Sequence, residues 1–156
     1  MSQATGLNST PRVCWKVSPV HTEVTMATAT QSNLQATISP GLTVNDLQQS
    51  IRFFEGLGFA VEDRWEEQGQ LLGVTLRGGD ASINLTQDDW KKGRDRQKGV
   101  GMRLFISTKQ NIDQLATRAK AAGVKLDAEP HDTEWKSRAF EVTEPSGFKI
   151  TISSDM

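Results

Sequence analysis

The chain has 156 residues, of which 24% are charged, and its formal net charge is -1. That balance leaves no basic excess for nucleic acid or an anionic membrane surface, and no apolar run reaches the roughly 20 residues a membrane span needs. One cysteine, Cys14, cannot form an internal disulfide, which favours a reducing, cytoplasmic compartment.

Residues 1–35 are rich in Ser, Thr, Ala and Gln, and Arg12, Lys16 and Glu23 are their only charged side chains. The segment lacks the continuous apolar core of a secretory signal and cannot bury a core of its own. A disordered N-terminal extension is therefore expected, with one domain at 36–154.

Residues 36–44 (ATISPGLTV) are apolar and β-branched and read as a strand, with Pro40 implying an edge or an irregularity. Asn45-Asp46 offers a helix cap. Leu47, Ile51, Phe54 and Leu57 follow at helical spacing, and Gly58 stops the helix. Residues 59–66, 71–77 and 81–86 read as strands joined at Gln68-Gly69 and Gly78-Gly79-Asp80.

A polar, charged stretch at 87–98 separates this series from a second one. Residues 102–107 read as a strand and 112–122 as a helix ended by Gly123. Three further strands are predicted at 124–128, 137–143 and 148–153, with a turn at Pro145-Ser146-Gly147. Val44 set against Ile106, and Gly58 against Gly123, give a repeat of roughly 62 to 65 residues. The expectation is an α+β fold in which two βαβββ modules, about 36–90 and 99–154, form curled mixed sheets around a cleft.

LTVNDLQQSIRFFEGLGFAV, at 42–61, resembles the opening signature of the glyoxalase, bleomycin-resistance and extradiol-dioxygenase domains, the vicinal-oxygen-chelate superfamily. WKSRAFEVTEPSGFKITIS, at 135–153, is similar to that superfamily's closing hairpin. The resemblance implies ligands near the start of the first strand and on the last strand of each module. There His, Glu or Gln would chelate a divalent ion with open positions for substrate. On this chain the four positions fall on Ser39, Asn84, Gly101 (within one residue) and Thr151. Hydroxyls, one amide and a glycine do not make a transition-metal site, so no metal, no cofactor and no catalytic residue is assigned.

Other chemistry finds little support. His131, in a predicted loop beside Asp132, reads as a solvated residue. The carboxylates Glu62, Asp63, Glu66 and Glu67 read as a solvated face. No Ser-His-Asp or Cys-His arrangement emerges.

Metal-free members of the superfamily bind compounds in the same cleft, and aromatic stacking suits that task. The resemblance places Trp90 at a cleft rim and Trp135 in a cleft-lining loop; for both, covering the core is the other reading. Trp65 reads more readily as a core cover. Arg103 and Arg138 lie on predicted strands, where an inward guanidinium would favour an anionic or π-rich ligand. Asn84, Thr151 and Ser39 would serve as polar contacts.

The expected function is metal-independent binding of a small molecule, such as a toxic or aromatic compound, by a homodimer, the pairing being implied by the resemblance. Two alternatives stand: a metal-dependent lyase or dioxygenase, and a non-binding regulatory or scaffold domain.

Overall fold

The structure is a computed structural model that describes residue 34 and residues 36–154, so the expected disordered extension and Cys14 lie outside the described residues. In chain order the elements are β1 (Gly41–Val44), α1 (Leu47–Gly56), β2 (Ala60–Glu67), β3 (Gln70–Gly78), β4 (Ala81–Gln87), β5 (Arg103–Thr108), α2 (Ile112–Ala121), β6 (Leu126–Asp132), β7 (Arg138–Thr143) and β8 (Lys149–Ser154). They form two βαβββ modules with one four-stranded mixed sheet each, ordered β1-β4-β3-β2 and β5-β8-β7-β6. In both, the first strand runs parallel to the last and the remaining pairs are antiparallel.

Local chemistry sets the helix ends. Asp46 caps α1 by accepting the Gln49 N–H at 2.9 Å, and Asn111 caps α2 by accepting that of Gln114 at 2.9 Å. Gly58 (φ +101°) and Gly123 (φ +88°) take the left-handed conformation that ends each helix at little steric cost.

Strand alternation then divides each sheet into two faces. In the first, Val74, Leu76, Ile83 and Leu85 are buried, while the intervening Thr75, Arg77, Asn84 and Thr86 are not. In the second, Phe140, Val142, Ile150 and Ile152 are buried on one side, and Glu141 and Thr151 alternate with them on the other. The buried faces and both helices belong to one core that also holds Phe54, Ile112 and Ala119. What remains is a helix-free, mostly polar face on each sheet.

The modules meet closely. A Cβ added to Gly56 at the end of α1 would lie 2.7 Å from Val124 Cγ2, so any larger residue would push Val124 aside. Across the same junction the fully buried Glu144 carboxylate accepts from the Ser50 hydroxyl of α1, from the Ser146 N–H (2.7 Å) and weakly from the Ser146 hydroxyl (3.4 Å). The Asn45 N–H in turn donates to Ser146 Oγ at 2.8 Å. Burial pushes the Glu144 carboxyl above the usual range, although the Ser50 and Ser146 donors oppose that shift.

Two expectations need correction. The strand expected at 36–44 begins only at Gly41: Pro40 has no N–H for a ladder, Ile38 is 90% exposed, and only the Pro40 carbonyl is used, by the Asn84 N–H at 2.9 Å. His131 lies not in a loop but in β6, opposite Ala139. The run extends past Pro130 because β6 is an edge strand, where a missing N–H is tolerated.

Candidate functional site

Of the four positions at which the resemblance expects metal ligands, two lie outside the sheets. Ser39 sits exposed in irregular chain before β1, and Gly101 occupies an exposed turn (φ +73°) before β5. The other two lie on helix-free faces. Asn84 of β4 stands between Gly41 of β1 and Thr75 of β3, and its Oδ1 accepts the Thr75 hydroxyl at 2.8 Å. Thr151 of β8 stands between Phe105 of β5 and Glu141 of β7, and its Oγ1 accepts from Arg103 Nη1 at 2.9 Å. Both donor oxygens are thus engaged within their own modules. A fixed guanidinium charge beside Thr151 opposes any cation arriving there. The residues present do not fit a transition-metal ion. Among the described residues no group of three or more His, Cys, Asp or Glu side chains is placed to hold one.

Arg103 organises the helix-free face of the second sheet. Besides Thr151, its Nη1 meets Glu141 Oε1 at 3.0 Å, and both side chains are about one-third exposed. Lys149 lies directly opposite Arg103 in the β5–β8 register. The two cations share a depression of about 670 Å³ with Gly101 and Met102. Phe105, two residues along the same face, is 68% exposed. Arg138, the second arginine weighed from the sequence, is instead pinned to Asp113 of α2 (2.7 Å from both Nε and Nη2) and to Asp132 (3.0 Å).

The tryptophans occupy three different environments. Trp90 lies in the linker between the modules at φ +59° and carries both Arg94 and Lys98 against its ring, each 4.9 Å from the centroid. Its backbone N–H donates to Asp88 Oδ1 at 2.9 Å. Asp88 Oδ2 meets Lys98 (2.6 Å) and Arg96 (2.7 Å), and the Lys98 and Trp90 contacts draw its carboxyl down to about 2. This clamp ties the linker down. Trp135 is 56% exposed at the β6–β7 hairpin, whose turn is closed by the Thr133 N–H on the Ser137 carbonyl at 2.8 Å.

Trp65 departs from the reading that favoured a core cover. It pairs with Gly73 across β2 and β3, and a Cβ at Gly73 would lie 2.1 Å from the indole Cζ2. Because Val74 is buried, Gly73 faces the helix-free side, so the ring rests there, 37% exposed. Gly73 inside an otherwise apolar strand was the available signal: a glycine in a strand marks a close approach.

A groove of about 830 Å³ also opens between the modules, where Leu57, Phe59 and Gly79 face Ile106, Leu115 and Arg118. None of the candidate site residues Ser39, Asn84, Trp90, Arg103, Trp135 and Thr151 lines it.

A family model described as "Glyoxalase/Bleomycin resistance protein/Dioxygenase superfamily" matches residues 34–152. Among solved structures, TioX from Micromonospora sp. ML1 superposes with a TM-score of 0.63 at 15% identity, over 78% of this chain and 100% of that one. A glyoxalase-related enzyme from Fulvimarina pelagi gives 0.61 at 18% identity, over 78% and 89%. A virulence protein from Salmonella typhimurium gives 0.56 at 22% identity, over 79% and 99%. Identities this low carry the fold alone. No curated protein sequence matches the chain.

Proposed function

The chain belongs to the Glyoxalase/Bleomycin resistance protein/Dioxygenase superfamily, and on that premise we propose that it binds and sequesters a small molecule without a metal. One observation carries the reading: Arg103 donates to Thr151, so a guanidinium is already bonded at the fourth chelating position. Lewis-acid chemistry needs basic lone pairs that grip a divalent ion and leave sites open for substrate oxygens. A hydroxyl already accepting from a cation, and an amide oxygen already accepting from Thr75, are poor in that capacity. They suit orientation of a ligand by hydrogen bonds instead.

In this reading Arg103, Thr151 and Asn84 supply polar contacts, and Trp65 and Phe105 supply apolar surface. Two copies pair, as the family resemblance implies, in the reducing cytoplasm that the single cysteine favours. Phe105, Met102 and Val100, exposed on and beside the edge strand β5, support a partner or ligand against that region.

Thermal-shift screening of chelator-treated protein against antibiotics, aromatic acids and 2-oxoaldehydes, with and without added Zn²⁺ or Mn²⁺, tests the proposal. Stabilisation indifferent to metal is expected. Stabilisation that requires metal would replace it with the lyase or dioxygenase reading.

A further inference from the structure

Resting on the metal-independent reading, we infer that the depression shared by Arg103 and Lys149 seats a carboxylate of the ligand, whose flat apolar body lies on Phe105. The charge arrangement carries the argument. Arg103 and Lys149 are direct cross-strand neighbours, and like charges so placed repel in a sheet. A single carboxylate, Glu141, forms an ion pair at this face, with Arg103 Nη1 at 3.0 Å. The Nε and Nη2 groups of Arg103 donate no hydrogen bond among the described residues. Their fork matches the two oxygens of a carboxylate.

Lys149 makes no ion pair among the described residues. Asp127, on β6 two strands away, is taken up by the Thr143 hydroxyl at 2.5 Å. No Asp or Glu lines the depression. Its third cation, Lys98, is committed to Asp88 and to Asn45 Oδ1 (2.5 Å). The local balance is therefore one positive charge in excess, facing a space without an acid.

Phe105 supplies the second, independent observation. It projects from the same face about 7 Å along β5, opposite Thr151, and leaves its ring mostly in water. An oxyanion at Arg103 and Lys149 with a planar apolar group on that ring would satisfy both features at once.

The test is calorimetric titration of chelator-treated full-length protein with 2-naphthoate and with 2-naphthamide, which differ in charge and little in shape. Naphthoate is expected to bind at least about tenfold tighter. Arg103→Met and Lys149→Met should each erase most of that preference by weakening naphthoate far more than the amide, whereas Phe105→Ser should weaken both. Lys149 is exposed, so its variant keeps the test available if the arginine variant misfolds. Equal affinity for acid and amide, or naphthoate binding indifferent to both cation variants, overturns the carboxylate seat and leaves metal-independent binding standing. Inorganic phosphate competing as well as naphthoate overturns the aromatic half of the inference. Naphthoate binding that appears only with added Zn²⁺ overturns the metal-independent reading itself.

Discussion

Replacing Glu144 with alanine removes the acceptor that ties α1 to the β7–β8 turn. In the structure its two oxygens serve the Ser50 hydroxyl and the Ser146 N–H, and all three residues are buried. Each orphaned buried donor costs about 1–3 kcal/mol, and the Ser146 hydroxyl can re-pair with part of the loss, so a destabilisation of about 2–4 kcal/mol is expected. Urea unfolding reads this directly: with an m-value of about 1–3 kcal/mol/M, the midpoint should fall by about 1–2 M. A fall below about 0.3 M would refute the claim that this contact holds the modules together. The pH dependence supplies a second check. Burial raises the folded carboxyl above its unfolded value of about 4.3, so the favourable contribution belongs to the protonated form. That contribution is complete below the unfolded value and is lost as pH rises through the raised folded value. Glu144→Gln removes this component, and the difference curve between wild type and Glu144→Gln should slope across that window. Parallel curves would contradict the assigned burial.

Asp88 has the opposite sign. Its folded carboxyl sits at about 2, below the ordinary value, so its contribution is present above the ordinary value and lost as pH falls through about 2. Asp88→Asn should therefore be less stable than wild type at pH 7, with the gap closing as acid unfolding is followed from about pH 4 to 2. Gly73→Ala should cost about 1–3 kcal/mol, because its Cβ meets the Trp65 ring and the Leu85 carbonyl at 2.6 Å. Indole emission should shift with it, and a shift that persists after Trp65→Phe would show that another tryptophan responds. Sedimentation of the wild-type protein at micromolar concentration should give twice the chain mass, and Phe105→Glu should weaken the pairing if β5 borders it; a monomer would remove pairing from the proposal.

Much of the fold was legible because periodicity is a local property. The apolar spacing of Leu47, Ile51 and Phe54 and the glycines at 58 and 123 located both helices, and alternation located most strands to within a residue or two. The misplacements share a cause: a strand needs a neighbour, and the sequence does not name it. Residues 36–40 carry strand-like side chains, yet the ladder starts after Pro40. His131 and Pro130 look like a loop until β7 lies beside them. The site was legible in part. Arg103 and Thr151 were singled out separately, but their bond joins positions 48 apart in sequence and depends on β5 running parallel to β8. Trp90 shows the reverse limit, since the two cations on its ring come from a linker without periodicity. Lys149 and Glu141, exposed or half-exposed charges on strands, carry no local mark of a shared face and were missed.

At the four chelating positions the side-chain oxygens are absent, exposed or already bonded. Native mass spectrometry of the full-length protein, purified without chelator and dialysed against Zn²⁺, Mn²⁺ and Fe²⁺ in turn, addresses that directly. The expected spectrum is protein with no stoichiometric transition metal. One firmly held metal ion per chain, surviving dialysis into metal-free buffer, would contradict it.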